Sequence, residues 1–205
     1  MNSIAFFDVE VGFESGKILD IGCIRSDEAK FHKNSTREFF ELIKDCQYLC
    51  GHNIIQHDLK VLQQQTGNRD LGNDKSIDTL FLSPLLFPKN PYHRLLKDDK
   101  IQVDDKNNPF NDAIKARELF LDEVEAFQKL SEPLKVIFFN LLGNRPGYSP
   151  FFRFIQFNQK MDADKLEKLI KEEFRNKICE QSDLNSLIHG HPVSLAYALA
   201  ETICG

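Results

Sequence analysis

Two acidic side chains near the N-terminus stand where the surrounding pattern calls for apolar residues. Asp8 and Glu10 are two positions apart in a segment that is otherwise apolar on both faces, so the segment predicts a central strand covered on both sides. Both carboxylates project from the face that also carries Ile4 and Phe6. Buried together they repel each other and lose hydration unless a cation neutralises them. The alternative is that the strand ends at Phe7 and both groups reach water.

Two further aspartates show the same anomaly on predicted helices. A helix capped by Asn53 and running to about Gln65 places Asp58 within an apolar stripe. Asp112 lies four residues before Ala116 in a long helix that follows an Asn-Pro start signal. Taken singly, each is equally explained as a helix-end carboxylate stabilised by the helix dipole. Taken together, the four acidic groups predict one site for hard cations.

The chemistry that matches four carboxylates without cysteine or histidine ligands is two-metal phosphodiester cleavage. Two Mg²⁺ or Mn²⁺ ions about 3.5–4 Å apart stabilise the attacking and leaving oxygens of an in-line displacement. The formal net charge of −5 argues against a protein that holds nucleic acid by bulk positive field alone. Metal ions would supply the positive charge that the chain lacks.

Three segments resemble, in order, the three motifs of the DEDD 3′–5′ exonuclease superfamily of proofreading and ribonuclease T-like enzymes. They are FFDVEVGFESGKILDIG, LCGHNIIQHDLKVL and NNPFNDAIKAREL, and the similarity covers about residues 4–125. The motifs match as Asp8 with Glu10, as Asp58 and as Asp112. The resemblance implies an enzyme that uses two Mg²⁺ or Mn²⁺ ions, held by these carboxylates, to degrade single-stranded DNA or frayed 3′ ends. RNA stays open as a substrate.

The third motif departs from the common pattern. The family places a histidine five residues, or a tyrosine four residues, before its last aspartate, and this chain has Asn107 and Asn108 there. An asparagine orients water but cannot take its proton, so Asn107 is interpreted as a water-orienting residue. His57 and His93 are candidate substitute bases, and each is equally a solvated surface histidine.

The resemblance also implies substrate contacts and a partner. The backbone N–H of Val11, which replaces the family's threonine, would meet a terminal nucleotide, and His52 and Asn53 of the GHN sequence would line the nucleotide site. YHRLLKDDK and HPVSLAYALA are further similar to nuclease-like domains that precede RecQ-type helicase modules in DNA repair proteins. A helicase module in the same chain is therefore an expected partner.

The order of elements predicts an α/β fold, and the resemblance makes it a ribonuclease H-like mixed five-stranded sheet flanked by helices, with a helical C-terminal lobe. A core at 1–130 and a lobe at 131–205 are expected. Asp78 is interpreted as the cap of a helix that follows the last strand. The aromatic segment 148–157, which includes Arg153, is either core or a stacking platform for bases. The predicted strands are 4–11, 17–24, 29–32, 47–51 and 76–80, with helices after 35, 53, 78 and 108 and over 162–177 and 192–203, and a polar loop over 97–108.

We expect a cytoplasmic protein. Five cysteines without a CxxC pair are typical of reduced thiols, the first residues do not predict a secretory leader, and the sequence has no run of apolar residues long enough to span a membrane. The apolar C-terminal residues 199–205 are typical of a piece of a longer protein.

Two other functions remain open on the sequence. The absence of the family's histidine or tyrosine would suit a catalytically weak module that binds nucleic acid or docks a helicase. An endonuclease acting on RNA–DNA hybrids would use the same carboxylates.

Overall fold

A computed structural model of the chain describes residues 3–67, 71–72, 74–93, 95 and 108–203. The chain divides into two compact units. The first contains residues 1–80 and 94–122, and the second contains residues 81–93 and 123–205. This division lies at Asp122 rather than after residue 130, and it assigns the segment 81–93 to the second unit.

The first unit is built on a mixed sheet of five strands, as the sequence predicted for an α/β fold. The spatial order is β3-β2-β1-β4-β5. Strands β1, β2 and β3 are antiparallel neighbours, whereas β1, β4 and β5 run parallel. The strands are β1 (Ile4–Val11), β2 (Ile18–Arg25), β3 (Lys30–Lys33), β4 (Tyr48–Gly51) and β5 (Ser76–Asp78).

Strand β1 is covered on both faces, because its alternating side chains meet helices on opposite sides. Phe7 packs against Phe39 of helix α1 (Thr36–Ile43) with ring centroids 5.2 Å apart. Phe6 packs against Phe120 of helix α4 (Pro109–Lys129) at 5.7 Å. The strand continues to Val11, so it does not end at Phe7, although Asp8 and Glu10 are half-buried and still reach water in part. Asp8 and Glu10 therefore lie on the α4 side of the sheet.

Helix α2 (Asp58–Thr66) begins four residues later than the sequence predicted. Asn53 does not cap it: Asn53 has a left-handed backbone (φ 65°), and its N–H donates to the Asp78 carboxylate. Residues 54–57 form a turn, because the left-handed backbone at Asn53 prevents a helix from beginning there. Asp58 is thus the first helical residue instead of a member of a mid-helix apolar stripe, and the helix-end interpretation describes its position correctly.

The second unit is helical. Helices α3 (Thr79–Leu86) and α4 begin in the first unit and end in the second. The others are α5 (Glu132–Leu142), α6 (Ser149–Phe154), α7 (Ala163–Glu173), α8 (Leu184–Gly190) and α9 (Pro192–Ile203). Helix α5 was not predicted as a separate element; it restarts the helix at Ser131, whose side chain accepts from the Leu134 N–H.

Phenylalanines form the core of the second unit. Phe127 meets Phe151 and Phe152 edge-on, and Phe139 meets Phe152 in the same way, with centroids 5.3–5.7 Å apart. Phe151 and Phe152 are fully buried, so they cannot stack on bases. The core interpretation of this aromatic segment is right for these two residues.

Two sequence-based expectations can be compared with the described residues. Cys23, Cys46, Cys50 and Cys179 are free thiols. Among the helices of the described ranges, none combines the length and the apolar character needed to cross a bilayer.

Candidate functional site

The four predicted carboxylates come together in the first unit. Asp8 and Glu10 project from β1, Asp58 opens α2 and Asp112 lies in the first turn of α4. The pKa of Asp8 is raised to about 8, firstly by burial and then by the negative charges of Asp58, Asp112 and Glu10. Because this repulsion fades with distance, it indicates that the three groups lie in the neighbourhood of Asp8. Residues far apart in the chain therefore form one acidic cluster.

Asp58 is tied directly to the strand that carries the other two groups. Its Oδ1 accepts from the backbone N–H of Val9 at 2.7 Å, and its side chain is only 1% exposed. Burial raises the pKa of Asp58, while its contact with His57 and the Val9 N–H oppose that rise. The bond from Val9 fixes the start of α2 beside the part of β1 that carries Asp8 and Glu10.

His57 lies beside the cluster. Its Nδ1 is 3.7 Å from Oδ2 of Asp58, and about half of its side chain is exposed. The interaction with Asp58 raises the pKa of His57, with smaller contributions from the charges of Asp8 and Glu10. Of the two candidate substitute bases, His57 is thus next to the carboxylates, whereas His93 belongs to the second unit.

Gly22 allows the fourth carboxylate to approach. It faces Asp8 across the β1–β2 pair, and a Cβ atom there would lie 2.1 Å from the backbone N of Phe110 and 2.2 Å from the carbonyl carbon of Pro109. The start of α4 therefore rests directly on the strand. The Asn108 side chain caps this start, accepting from the Phe110 N–H at 3.0 Å, as the Asn-Pro signal predicted. Asp112 follows Phe110 by two residues, about half a helical turn.

Asp78 organises the loop that leads to Asp58. Its Oδ1 accepts from the N–H groups of Asn53 (2.8 Å) and Leu80 (3.0 Å), and its Oδ2 accepts from that of Ile55 (3.1 Å). The predicted cap of α3 is thereby confirmed. The sequence analysis did not predict that Asp78 also binds the backbone of residues 53–55, because no spacing in the sequence shows this contact. Burial raises the pKa of Asp78 to about 6, against the three N–H contacts that favour the ionised form.

A second contact that supports the start of α4 was also not predicted from the sequence. His32 on β3 pairs with Asp20 of β2 at 2.7 Å, and its ring stacks on Phe110 with centroids 5.7 Å apart. Gly22 faces both Asp8 and His32 in the sheet register, so this pair lies on the same face as the carboxylates. Asp20 and Gly22 are two residues apart, as are Asp8 and Glu10, which they face. This matching spacing was the sequence signal that could have placed Asp20 on the face of the carboxylates.

The predicted substrate contacts surround the turn before α2 and the end of β1. His52 is half-buried, and its Nδ1 lies 2.9 Å from Oγ1 of Thr79. Asn53 is half-buried in its left-handed conformation, and Val11 follows a bulge at the end of β1. Asn107 and the polar loop over 97–107 lie outside the described residues.

The described carboxylates do not form a metal coordination sphere. Within the described ranges, no group of three or more His, Cys, Asp or Glu side chains is arranged so that it could hold a metal ion. The cluster is therefore defined by proximity and by mutual repulsion.

Comparison with known proteins gives no further assignment. No family model, no curated protein and no solved structure matches the chain.

Proposed function

We propose that the protein is a divalent-metal-dependent 3′–5′ exonuclease of the DEDD type that hydrolyses single-stranded DNA or frayed 3′ ends. The observation that carries the proposal is the convergence of Asp8, Glu10, Asp58 and Asp112 from three separate elements. The mixed five-stranded sheet supports a ribonuclease H-like fold. The polarity of degradation and the link to a RecQ-type helicase in DNA repair rest on the sequence resemblance alone.

The chemistry of the donor set fits Mg²⁺ or Mn²⁺. All four groups offer carboxylate oxygens, the ligands that these ions prefer, and neither cysteine nor histidine is required. Burial first, and then the neighbouring carboxylates, raise the pKa of Asp8 and so disfavour its ionised form, which a bound divalent ion would favour. Two such ions, once bound, would polarise the scissile phosphate and neutralise charge in the transition state.

The chain itself positions the reacting groups. The Val9 N–H keeps Asp58 turned toward the strand, and Gly22 lets α4 bring Asp112 to the same place. His57 is the candidate proton-transfer group beside the cluster, while the proposed role of Asn107 is to orient water.

Substrate contacts complete the proposal. Val11, His52 and Asn53 would hold the terminal nucleotide. Phe13, three residues beyond Glu10, is fully exposed at the turn after β1. An exposed aromatic ring of this kind stacks on nucleic-acid bases. Single-stranded DNA is therefore the proposed substrate, with RNA as the comparison substrate in the assay.

One observation favours a second candidate function. Asn107 and Asn108 stand where the family has a histidine or a tyrosine, which would suit a nuclease-fold module that binds nucleic acid or docks a helicase without appreciable catalysis. The two candidates differ in whether product forms at all.

The test uses oligonucleotides labelled at one end, with Mg²⁺ and then Mn²⁺. A 3′–5′ exonuclease gives a descending ladder from a 5′-labelled strand and a labelled mononucleotide from a 3′-labelled strand. The ladder must disappear in Asp8→Asn and persist in Glu41→Gln. Glu41 is an exposed, ion-paired residue of α1, which covers the opposite face of the sheet.

Three other results would reject the proposal. Binding without product at high enzyme concentration would leave the non-catalytic module. Cleavage of circular single-stranded DNA, or of a hybrid blocked at both ends, would indicate an endonuclease. A ladder that survives Asp8→Asn would come from a contaminant.

A further inference from the structure

In one stretch of this acidic chain, all the charged side chains are basic. Residues 133–161 contain no aspartate or glutamate, but they contain Lys135, Arg145, Arg153 and Lys160. The whole chain carries a net charge of −5, so this segment departs from the rest. A local excess of positive charge attracts anions even when the protein as a whole does not.

A pocket of about 360 Å³ opens within this segment of the second unit. Its lining comes entirely from residues 139–160. Phe139 and Phe152 form an apolar part of the wall, and both are buried. The half-buried Phe157 and the exposed cations Arg153 and Lys160 also line it. The volume is of the order that small ligands occupy.

Contacts within the unit hold the basic side of the pocket in place. Asn140 of α5 donates from Nδ2 to the carbonyl oxygen of Gln159 at 2.8 Å and accepts at Oδ1 from the Met161 N–H at 2.9 Å. These two bonds bracket Lys160. The Arg153 guanidinium donates to Oγ of Ser149 at 3.1 Å, one helical turn away. The two cations are therefore presented by an anchored backbone.

The chain geometry also directs an aromatic side chain toward the same place. Gln156 takes a left-handed backbone (φ 57°) at the end of α6, and the Phe157 N–H then bonds to the carbonyl of Phe152 at 3.0 Å. The Phe157 ring lies edge-on to Phe127 at 5.5 Å, so its orientation is fixed by the core. Part of its side chain stays exposed in the pocket.

We propose that this pocket binds a nucleotide, with the phosphate on Arg153 and Lys160 and the base against Phe157. A guanidinium matches a phosphate with two parallel hydrogen bonds, and an aromatic ring stacks on any base. The ligand is either a free nucleotide or one unit of a single strand, since both offer the same phosphate and base. The inference goes beyond the proposed nuclease, because it requires neither metal nor carboxylate.

The test compares R153Q/K160Q with the charge-matched control K168Q/R175Q, whose residues are exposed cations of the same unit outside the pocket. Fluorescence anisotropy follows the binding of a labelled oligothymidylate of about ten nucleotides in EDTA. The pocket variant should bind about tenfold more weakly, and the slope of log K against log salt should become shallower by about one. The control should match the wild type, and circular dichroism should show both variants folded.

Two results of this comparison would overturn the inference. The first is an unchanged affinity in R153Q/K160Q. The second is an equal loss in K168Q/R175Q, which would assign binding to diffuse charge.

Calorimetry with thymidine monophosphate and with inorganic phosphate identifies the ligand. Pocket-dependent binding of the mononucleotide supports a free-nucleotide site, and binding of the oligonucleotide alone supports a strand site. Phosphate that binds as tightly as the mononucleotide would contradict a role for the base. Because EDTA and Asp8→Asn silence the acidic cluster, binding that survives both separates failure of the nuclease proposal from failure of this one.

Discussion

The two proposed sites, one in each unit, differ in charge and in how the chain builds them. The acidic cluster of the first unit draws Asp8, Asp58 and Asp112 from distant parts of the chain. The basic pocket of the second unit comes from one continuous segment, 139–160. The carboxylates repel one another and need a cation, whereas Arg153 and Lys160 can meet a phosphate directly. A change in tertiary packing should therefore disable the first site and spare the second.

The strongest challenge to this contrast is Gly22→Ala. Its methyl group would overlap the backbone at the start of α4, so we expect unfolding to become easier by about 3 kcal/mol and nuclease activity to be lost. Oligonucleotide binding in EDTA should persist wherever the protein stays folded. Thermal unfolding and both assays measure this. Gly190→Ala is the control, because a Cβ atom there meets nothing within 4 Å; equal effects of the two changes would refute the role given to Gly22.

Asp78→Asn tests the loop that positions Asp58. The amide retains one acceptor oxygen but turns an N–H toward a backbone N–H, so the variant should lose about 1–3 kcal/mol of stability. Activity should fall with it, while binding at the basic pocket should stay unchanged. Chemical denaturation and the ladder assay provide the measurement, with Glu41→Gln as the exposed-acid control. A variant as stable and active as the wild type would show that the three N–H contacts are dispensable.

The acidic cluster should also give the first unit a distinctive pH dependence. The pKa of Asp8 is 3.8 unperturbed and about 8 when folded, so between these values the folded state binds more protons. Metal-free stability should therefore fall as pH rises from about 4 to about 8. Asp8→Asn should be more stable than the wild type, by a margin that grows over this interval.

Melting curves in EDTA measure that margin, and Mg²⁺ should stabilise the wild type most at the upper end. A margin that stays constant with pH would mean that neither burial nor the neighbouring carboxylates raise the pKa of Asp8.

The smallest effect is expected from His32→Ala. The change removes a partly exposed pair with Asp20 and a stack on Phe110, together worth about 1 kcal/mol. The first turn of α4 should loosen, so turnover should fall a few-fold with little change in KM. Steady-state kinetics measure the two constants separately, and His32→Phe, which keeps the stack, should recover most of the loss. A KM effect alone would assign His32 to substrate binding.

Much of the first unit could be predicted because its signals are local. The segment from Ile4 to Val11, apolar on both faces, predicted β1, and the Asn-Pro start predicted α4. The start of α2 was wrong, because the Asp78 carboxylate holds Asn53 from a distant strand. For the second unit, the sequence predicted only an aromatic and basic segment and no pocket. Burial of Phe151 and Phe152 in the structure decided which aromatic rings a ligand can reach.

The sequence by itself determined the residue types of both sites and the period of the elements that carry them, because side-chain direction follows from backbone period. It also determined that Asp8 and Glu10 interrupt an apolar strand, the anomaly from which the nuclease proposal started. Only the tertiary structure decided that the four acids meet. Their meeting depends on a bare glycine under a helix end and on single hydrogen bonds between elements remote in the chain, which leave no periodic trace in the sequence.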